Sequence, residues 1–142
     1  MQLAVFVVED NQEIHENLVG ALEELTCVKV VGGSATEDGA MAWVAAHPRA
    51  WDMLIVDLFL KGGSGIRFVQ RVQRARPEQK VIVFSNYVNA GVRKRCAQLG
   101  VDAVFDKSTE IDALVDYCSH QCSVLAAAQA PLAPQQPSGG FA

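Results

Sequence analysis

The sequence has no excess of basic residues. Among 142 residues, 12 Lys and Arg stand against 16 Asp and Glu, for a formal charge of -4. That argues against the electropositive footprint of a nucleic-acid-binding domain, and no basic DNA-reading element is present. No stretch is long and apolar enough to cross a bilayer. No basic segment precedes the first apolar run at Leu3, so no signal peptide is expected. Together these absences predict a cytoplasmic protein, or a fragment of one, without direct nucleic-acid or membrane partners. There is no internal repeat. There is also no P-loop, because the glycines of Lys61-Gly62-Gly63-Ser64-Gly65 lack the Lys-Ser or Lys-Thr frame. Cysteine is limited to Cys27, Cys96, Cys118 and Cys122. In a reducing compartment these are expected as thiols, mostly buried. Cys118 and Cys122 would share a helix face, but His120 at i+2 would point elsewhere, which argues against a metal site.

Short apolar runs are present, and they alternate with helical periods. Strands are predicted at 3–8, 28–31, 53–56, 81–84 and 103–105. The runs are continuous, the mark of strands covered on both faces of a parallel sheet. Helical stripes fill the gaps: Ile14, Leu18, Leu22 and Leu25; Met41, Val44 and Ala45; Ile66, Val69 and Val72; Val92, Cys96 and Leu99; Ile111, Leu114, Val115, Cys118 and Cys122. Ser64 is the expected cap of the third helix and Ser108 or Thr109 that of the fifth. Gly100 is the expected stop of the fourth. Five βα units with right-handed crossovers predict a doubly wound α/β three-layer sandwich. Residues 1–122 read as one domain. Residues 123–142, rich in Ala, Pro and Gln, read as a flexible tail or linker.

Four runs end in polar groups: Val8 in Glu9-Asp10, Val56 in Asp57, Phe84 in Ser85, and Phe105 in Asp106-Lys107. The carboxyl ends of an open parallel sheet converge on one edge, where such folds bind ligands. The convergence predicts an acidic pocket holding a hydroxyl and an ammonium. Three neighbouring carboxylates repel unless a cation joins them, and Mg²⁺ suits a site that also takes a phosphoryl group. Two plainer roles stay open. Glu9 and Asp10 would also suit the first turn of a helix, and Lys107 would form a salt bridge to Asp57.

This ordered set, Glu9-Asp10, Asp57, Ser85 and Lys107, resembles the response-regulator receiver domain over roughly residues 1–121. The stretches Ser85-Asn86-Tyr87 and Phe105-Asp106-Lys107-Ser108-Thr109-Glu110 resemble a subset of stand-alone receivers. The resemblance implies a CheY-like, flavodoxin-like sheet of order 2-1-3-4-5. It implies that Asp57 accepts a phosphoryl group from a sensor histidine kinase, a histidine phosphotransfer protein or a small phosphodonor. Mg²⁺ would be held by Glu9, Asp10, Asp57 and the backbone carbonyl of Phe59, while Ser85 and Lys107 would contact phosphoryl oxygens. A downstream protein would read the switch. The chain departs from the family pattern at Lys61 and Ser108, where proline is frequent, and at Asn86, where a small residue is common. Val104 stands where the family carries an aromatic switch residue, and Phe105 is expected on the opposite face.

Further expectations follow. Phe59 and Tyr87 flank the path of attacking water, which predicts a long-lived phospho-form. Arg93-Lys94-Arg95, Asp112 and Asp116 lie on a fourth-helix, fifth-strand, fifth-helix face, which would serve a homodimer or remain an ordinary solvated surface. No enzyme activity beyond self-phosphorylation and slow dephosphorylation is expected. An aspartate-nucleophile phosphohydrolase would need an acid where Phe59 stands. A receiver that works as a phosphorylation-independent binding module is the other alternative. His15, His47 and His120 are read as surface or helix-end residues, and Trp43 and Trp51 as packing beside the second helix.

Overall fold

The five apolar runs pair into a single sheet. The computed structural model describes residues 1–129. Its elements alternate: β1 (Leu3–Val8), α1 (Gln12–Leu25), β2 (Val28–Ser34), α2 (Glu37–Ala46), β3 (Met53–Val56), α3 (Gly65–Arg71), β4 (Lys80–Ser85), α4 (Ala90–Gln98), β5 (Ala103–Asp106) and α5 (Ile111–Gln129). The sheet has the order β2-β1-β3-β4-β5, and every pairing is parallel. This is the expected CheY-like arrangement.

Alternation along the central strands divides the core between the two faces. Val5, Val7, Ile55 and Ile82 pack with Leu18 and Leu22 of α1 and Leu114 and Cys118 of α5. Phe6, Val8, Leu54 and Val56 pack with Ala40 and Val44 of α2 and Phe68 and Val69 of α3. Trp51 is fully buried in that second cluster, and Trp43 stacks on Phe6 at 4.2 Å between ring centroids.

The edges depart from the expected continuous burial. In β2, buried or half-buried residues alternate with exposed ones, because an edge strand is covered less than a central one. Its pairing with β1 jumps from Val30 to Gly32, leaving Val31 as an extra residue. At the other edge, β5 is half-buried throughout.

Side-chain caps set the helix starts. Asn11, Thr36, Ser64 and Asn89 each accept an N–H from three residues on. Gly100, at φ 82°, follows the C-cap Leu99 of α4. The expected cap of α5 is displaced. Ser108 and Thr109 lie in the turn before it, and Ser108 donates its hydroxyl to Asp106 instead. α5 also runs past the expected boundary at residue 122, because the Ala-rich stretch after Ser123 favours helix and Leu125 packs on the core. The rest of the expected tail, 130–142, lies outside the described residues.

The four-thiol expectation is corrected at two positions. Cys27, just before β2, and Cys122 of α5 form a disulfide with Cα atoms 5.9 Å apart. The i, i+4 face turns Cys118 onto Met53 and carries Cys122 to the start of β2. Cys96 and Cys118 are the buried free thiols, and burial pushes the Cys118 thiol up to about 12. Among the described residues, no helix is long and apolar enough to cross a membrane.

Candidate functional site

The sheet's hydrogen bonding continues one residue past its strands, and this aims the site. Glu9 N–H donates to Ser34 O at 3.0 Å, Asp57 N–H to Val8 O at 2.9 Å and Lys107 N–H to Ser85 O at 3.0 Å. The side chains that follow the strands therefore start from rigid backbone and meet over the sheet edge.

Asp57, 6 % exposed, is the centre. Its Oδ1 accepts the Ser85 hydroxyl at 2.7 Å and the Phe59 N–H at 3.1 Å; its Oδ2 accepts Lys107 Nζ at 2.8 Å. Lys107 also pairs with Glu9 Oε1. Glu9 Oε2 takes the Asn11 N–H at 3.0 Å, and Asp10 Oδ2 takes the Lys61 N–H at 2.6 Å. Burial alone would push the Lys107 ammonium down, but the hydrogen bonds and charges of Asp57 and Glu9 outweigh it and raise it. Both roles left open for Lys107 and the acids are now placed. Lys107 makes the salt bridge to Asp57, and α1 is capped by Asn11 rather than by its acidic neighbours.

One carboxylate oxygen from each of Glu9, Asp10 and Asp57 lies within 4.8 Å of the others. One ammonium leaves the cluster net negative, and hard oxygen donors at that spacing fit a divalent cation such as Mg²⁺. The acids open onto a cleft of about 350 Å³ that Phe59, Asn86 and Tyr87 also line. Phe59 and Tyr87 are 57 % and 83 % exposed, with rings edge to face at 6.4 Å. Tyr87 holds φ 59°, a left-handed conformation unusual for a tyrosine.

The loop after Asp57 is fitted closely beneath it. A Cβ at Gly65 would lie 2.0 Å from the Asp57 carbonyl oxygen, so only glycine fits there. Glu37, which the sequence reading missed, anchors the loop. It is buried and accepts Arg67 Nε at 2.9 and 2.8 Å, Arg71 Nη1 at 3.0 Å and the Ser64 N–H at 2.9 Å. The Arg67 hydrogen bond, with the Ser64 N–H and Arg71, holds its carboxyl down at about 2 against the cost of burial. The sequence signal was the Arg67/Arg71 pair at i, i+4, one helix face in need of an anion.

Other expected residues fall differently. His15, read as a surface or helix-end residue, is half-buried on α1 and lines a cleft beside the site with Glu9 and Asp10. His47 is the C-cap of α2, as read, and His120 is exposed. Val104 packs toward Leu58, Val83 and Cys96, while Phe105 lies on the opposite face against Tyr117 at 5.7 Å. Arg93 donates to Val104 O at 2.9 Å and to Glu110 at 2.6 Å, so its charge is already engaged within the chain. Lys94, Arg95, Asp112 and Asp116 are exposed.

Sheet order and pocket define a doubly wound α/β domain with an aspartate, a hydroxyl and a lysine gathered at its carboxyl edge. The family model described as the response regulator receiver domain matches residues 5–119, and the chain belongs to that family. It is 23 % identical over 109 residues to the methanol utilization control regulatory protein MoxX of Paracoccus denitrificans, covering 75 % of this chain and 48 % of MoxX. It is 23 % identical over 116 residues to the response regulator protein VraR of Staphylococcus aureus, covering 82 % of this chain and 54 % of VraR. The chain thus spans about half the length of these curated relatives. Among solved structures, the receiver domain of AraT from Geobacillus stearothermophilus aligns with a TM-score of 0.73 at 21 % identity, covering 92 % of this chain and 100 % of that one. A CheY-like receiver protein from Methanospirillum hungatei JF-1 aligns with a TM-score of 0.73 at 16 % identity, covering 90 % and 99 %. These likenesses bear out the fold. The chain is a receiver domain of the two-component signalling type.

Proposed function

We propose that the chain is a phosphoacceptor switch in which Asp57 takes a phosphoryl group from a histidine kinase or histidine phosphotransfer protein. The observation that carries this is the buried Asp57, with Ser85 Oγ at 2.7 Å and Lys107 Nζ at 2.8 Å on its two oxygens. An Asp57 oxygen attacks phosphorus, the donor's N–P or O–P bond breaks, and the donor leaves with that electron pair. Ser85 and Lys107 then turn their donors to the phosphoryl oxygens, where charge-assisted hydrogen bonds are strong. Glu9, Asp10, Asp57 and the Phe59 carbonyl would hold Mg²⁺, which would supply charge neutralisation for the transfer. The chain performs no chemistry on other substrates, because Phe59 stands where a hydrolase would keep its acid. It signals by changing its protein contacts. A homodimer through the α4–β5–α5 face would pair the exposed Lys94 and Arg95 with Asp112 and Asp116; the alternative is that these charges form an ordinary solvated surface.

The test is intact mass after incubation with acetyl phosphate or phosphoramidate, with and without Mg²⁺, for wild type and Asp57→Asn. The expected result is one phosphoryl adduct that needs Mg²⁺ and is absent in the variant. An unchanged mass with both donors and with a panel of phosphorylated histidine phosphotransfer proteins would overturn the reading in favour of a phosphorylation-independent binding module.

A further inference from the structure

The two sulfurs that the fold joins are held unequally. Cys27 sits on fixed backbone. Its carbonyl accepts the Leu3 N–H at 3.3 Å, and beside it the Thr26 hydroxyl donates to Leu22 O at 2.6 Å and accepts the Val28 N–H at 3.0 Å. Cys122 sits on the last part of a helix that rests on little. The inward stripe of α5 is Leu114, Cys118, Cys122 and Leu125, and only the first two are fully buried. Beyond Cys118, Ser119, His120, Ser123 and Val124 are exposed. A cleft of about 560 Å³ is lined there by Leu3 and Lys80 from the strand starts and by Val124 and Leu125 from the helix.

Of the four cysteines, this pair is the one a small thiol can reach. Cys27 and Cys122 are half-buried, with Cα atoms 5.9 Å apart. Cys96 and Cys118 are buried, and burial raises the pKa of both thiols, which keeps them from the reactive thiolate form. Disulfides open to small thiols are the labile ones, and among reducing thiols such bonds are transient or redox-sensing rather than permanent. A bond here also has something to control. Its loss leaves apolar contact at Cys122 and Leu125 as the hold on the end of α5.

We propose that Cys27 and Cys122 form a reversible redox clasp on the end of α5, residues 119–129. The oxidant is the disulfide of a small thiol, of the glutathione class. A thiolate of the pair attacks one of its sulfurs and expels a thiolate. The second cysteine then attacks the protein sulfur of the mixed disulfide and expels the other. The pair loses two electrons and two protons, and the reagent leaves as two thiols. Reduction by the same small thiol runs these steps backward and frees the end of α5 while the sheet stays paired. The clasp is independent of phosphorylation at Asp57.

The test equilibrates the full chain in mixtures of reduced and oxidised glutathione, traps free thiols by acid and alkylation, and reads the oxidised fraction by intact mass. Amide hydrogen exchange is then followed on the oxidised and reduced forms. The oxidised fraction is expected to rise from none to all across the mixtures, and Cys27→Ser and Cys122→Ser to form no internal disulfide in any of them. Reduced wild type is expected to lose protection in residues 119–129 while the strands keep theirs. Wild type alone decides the question where a serine variant fails to fold. A bond that stays closed in every mixture, or thiols that stay free in every mixture, would overturn the clasp. Equal protection of the end of α5 in both forms would do the same. Loss of protection in the strands together with α5 would also overturn it, by making the bond a staple for the whole fold.

Discussion

At the residue scale, the acid pair, Asp57, Ser85 and Lys107 were legible because each follows a buried apolar run, and a parallel sheet gathers such ends. Phe59 and Tyr87 were legible as their neighbours, and the structure puts both rings at the mouth of the cleft. On the proposed phosphoacceptor reading, there they would narrow the approach of water to a phosphoryl group on Asp57. Tyr87→Gly is expected to speed phosphoryl loss, read as decay of the adduct mass. Glycine also relieves the left-handed backbone, so stability is expected to rise by about 1 kcal/mol. Phe59→Ala is expected to speed the loss without that gain. A wild-type adduct that decays within seconds, at the rate of both variants, would count against the aromatic rim. The Arg67/Arg71 pair signalled a need for an anion, but that Glu37 supplies it was not legible, because it lies 30 residues from Arg67.

At the element scale, apolar periodicity located all five strands and all five helices, and it erred where burial is partial. β2 and β5 are edges, so alternation or half-burial replaced the expected continuous run. The α2–α3 contact was hidden because it is ionic. Glu37 of α2 is drawn down to about 2 by Arg67 and Arg71 of α3 and the Ser64 N–H. A carboxyl with a folded value below its usual 4.5 contributes stability above that value and loses it as pH falls toward about 2. Glu37→Gln should therefore melt below wild type at pH 7, because two arginines lose their anion. The gap should narrow from about pH 4.5 toward pH 2, where wild-type Glu37 becomes neutral too. Thermal melts of both proteins across that range check this. A gap that stays constant would remove Glu37 as the acid-sensitive tie between the two helices.

At the scale of the whole molecule, the disulfide closes the fold in a way composition concealed. Four cysteines in a chain read as cytoplasmic suggested thiols, and helical spacing placed Cys118 and Cys122 on one apolar face. Only the fold reveals that the start of β2 lies beside that face, 95 residues away in sequence. The bond joins the start of an edge strand to the last helix, both of which also pack in the core cluster with β1, β3, β4 and α1. Closing so long a loop restricts the unfolded chain, an effect typically worth about 2–4 kcal/mol. For a domain of this size, that corresponds to a melting shift of roughly 10 °C. Cys27→Ser and Cys122→Ser are each expected to melt lower by that amount, and a dithiol reductant should bring wild type down to the same temperature. The reductant should leave the melts of both variants unmoved. Thiol titration of the denatured, unreduced chain should find Cys96 and Cys118 alone. Four titratable thiols, with melts indifferent to reductant, would show that Cys27 and Cys122 pack against each other unbonded, leaving apolar contact to hold α5 on the sheet.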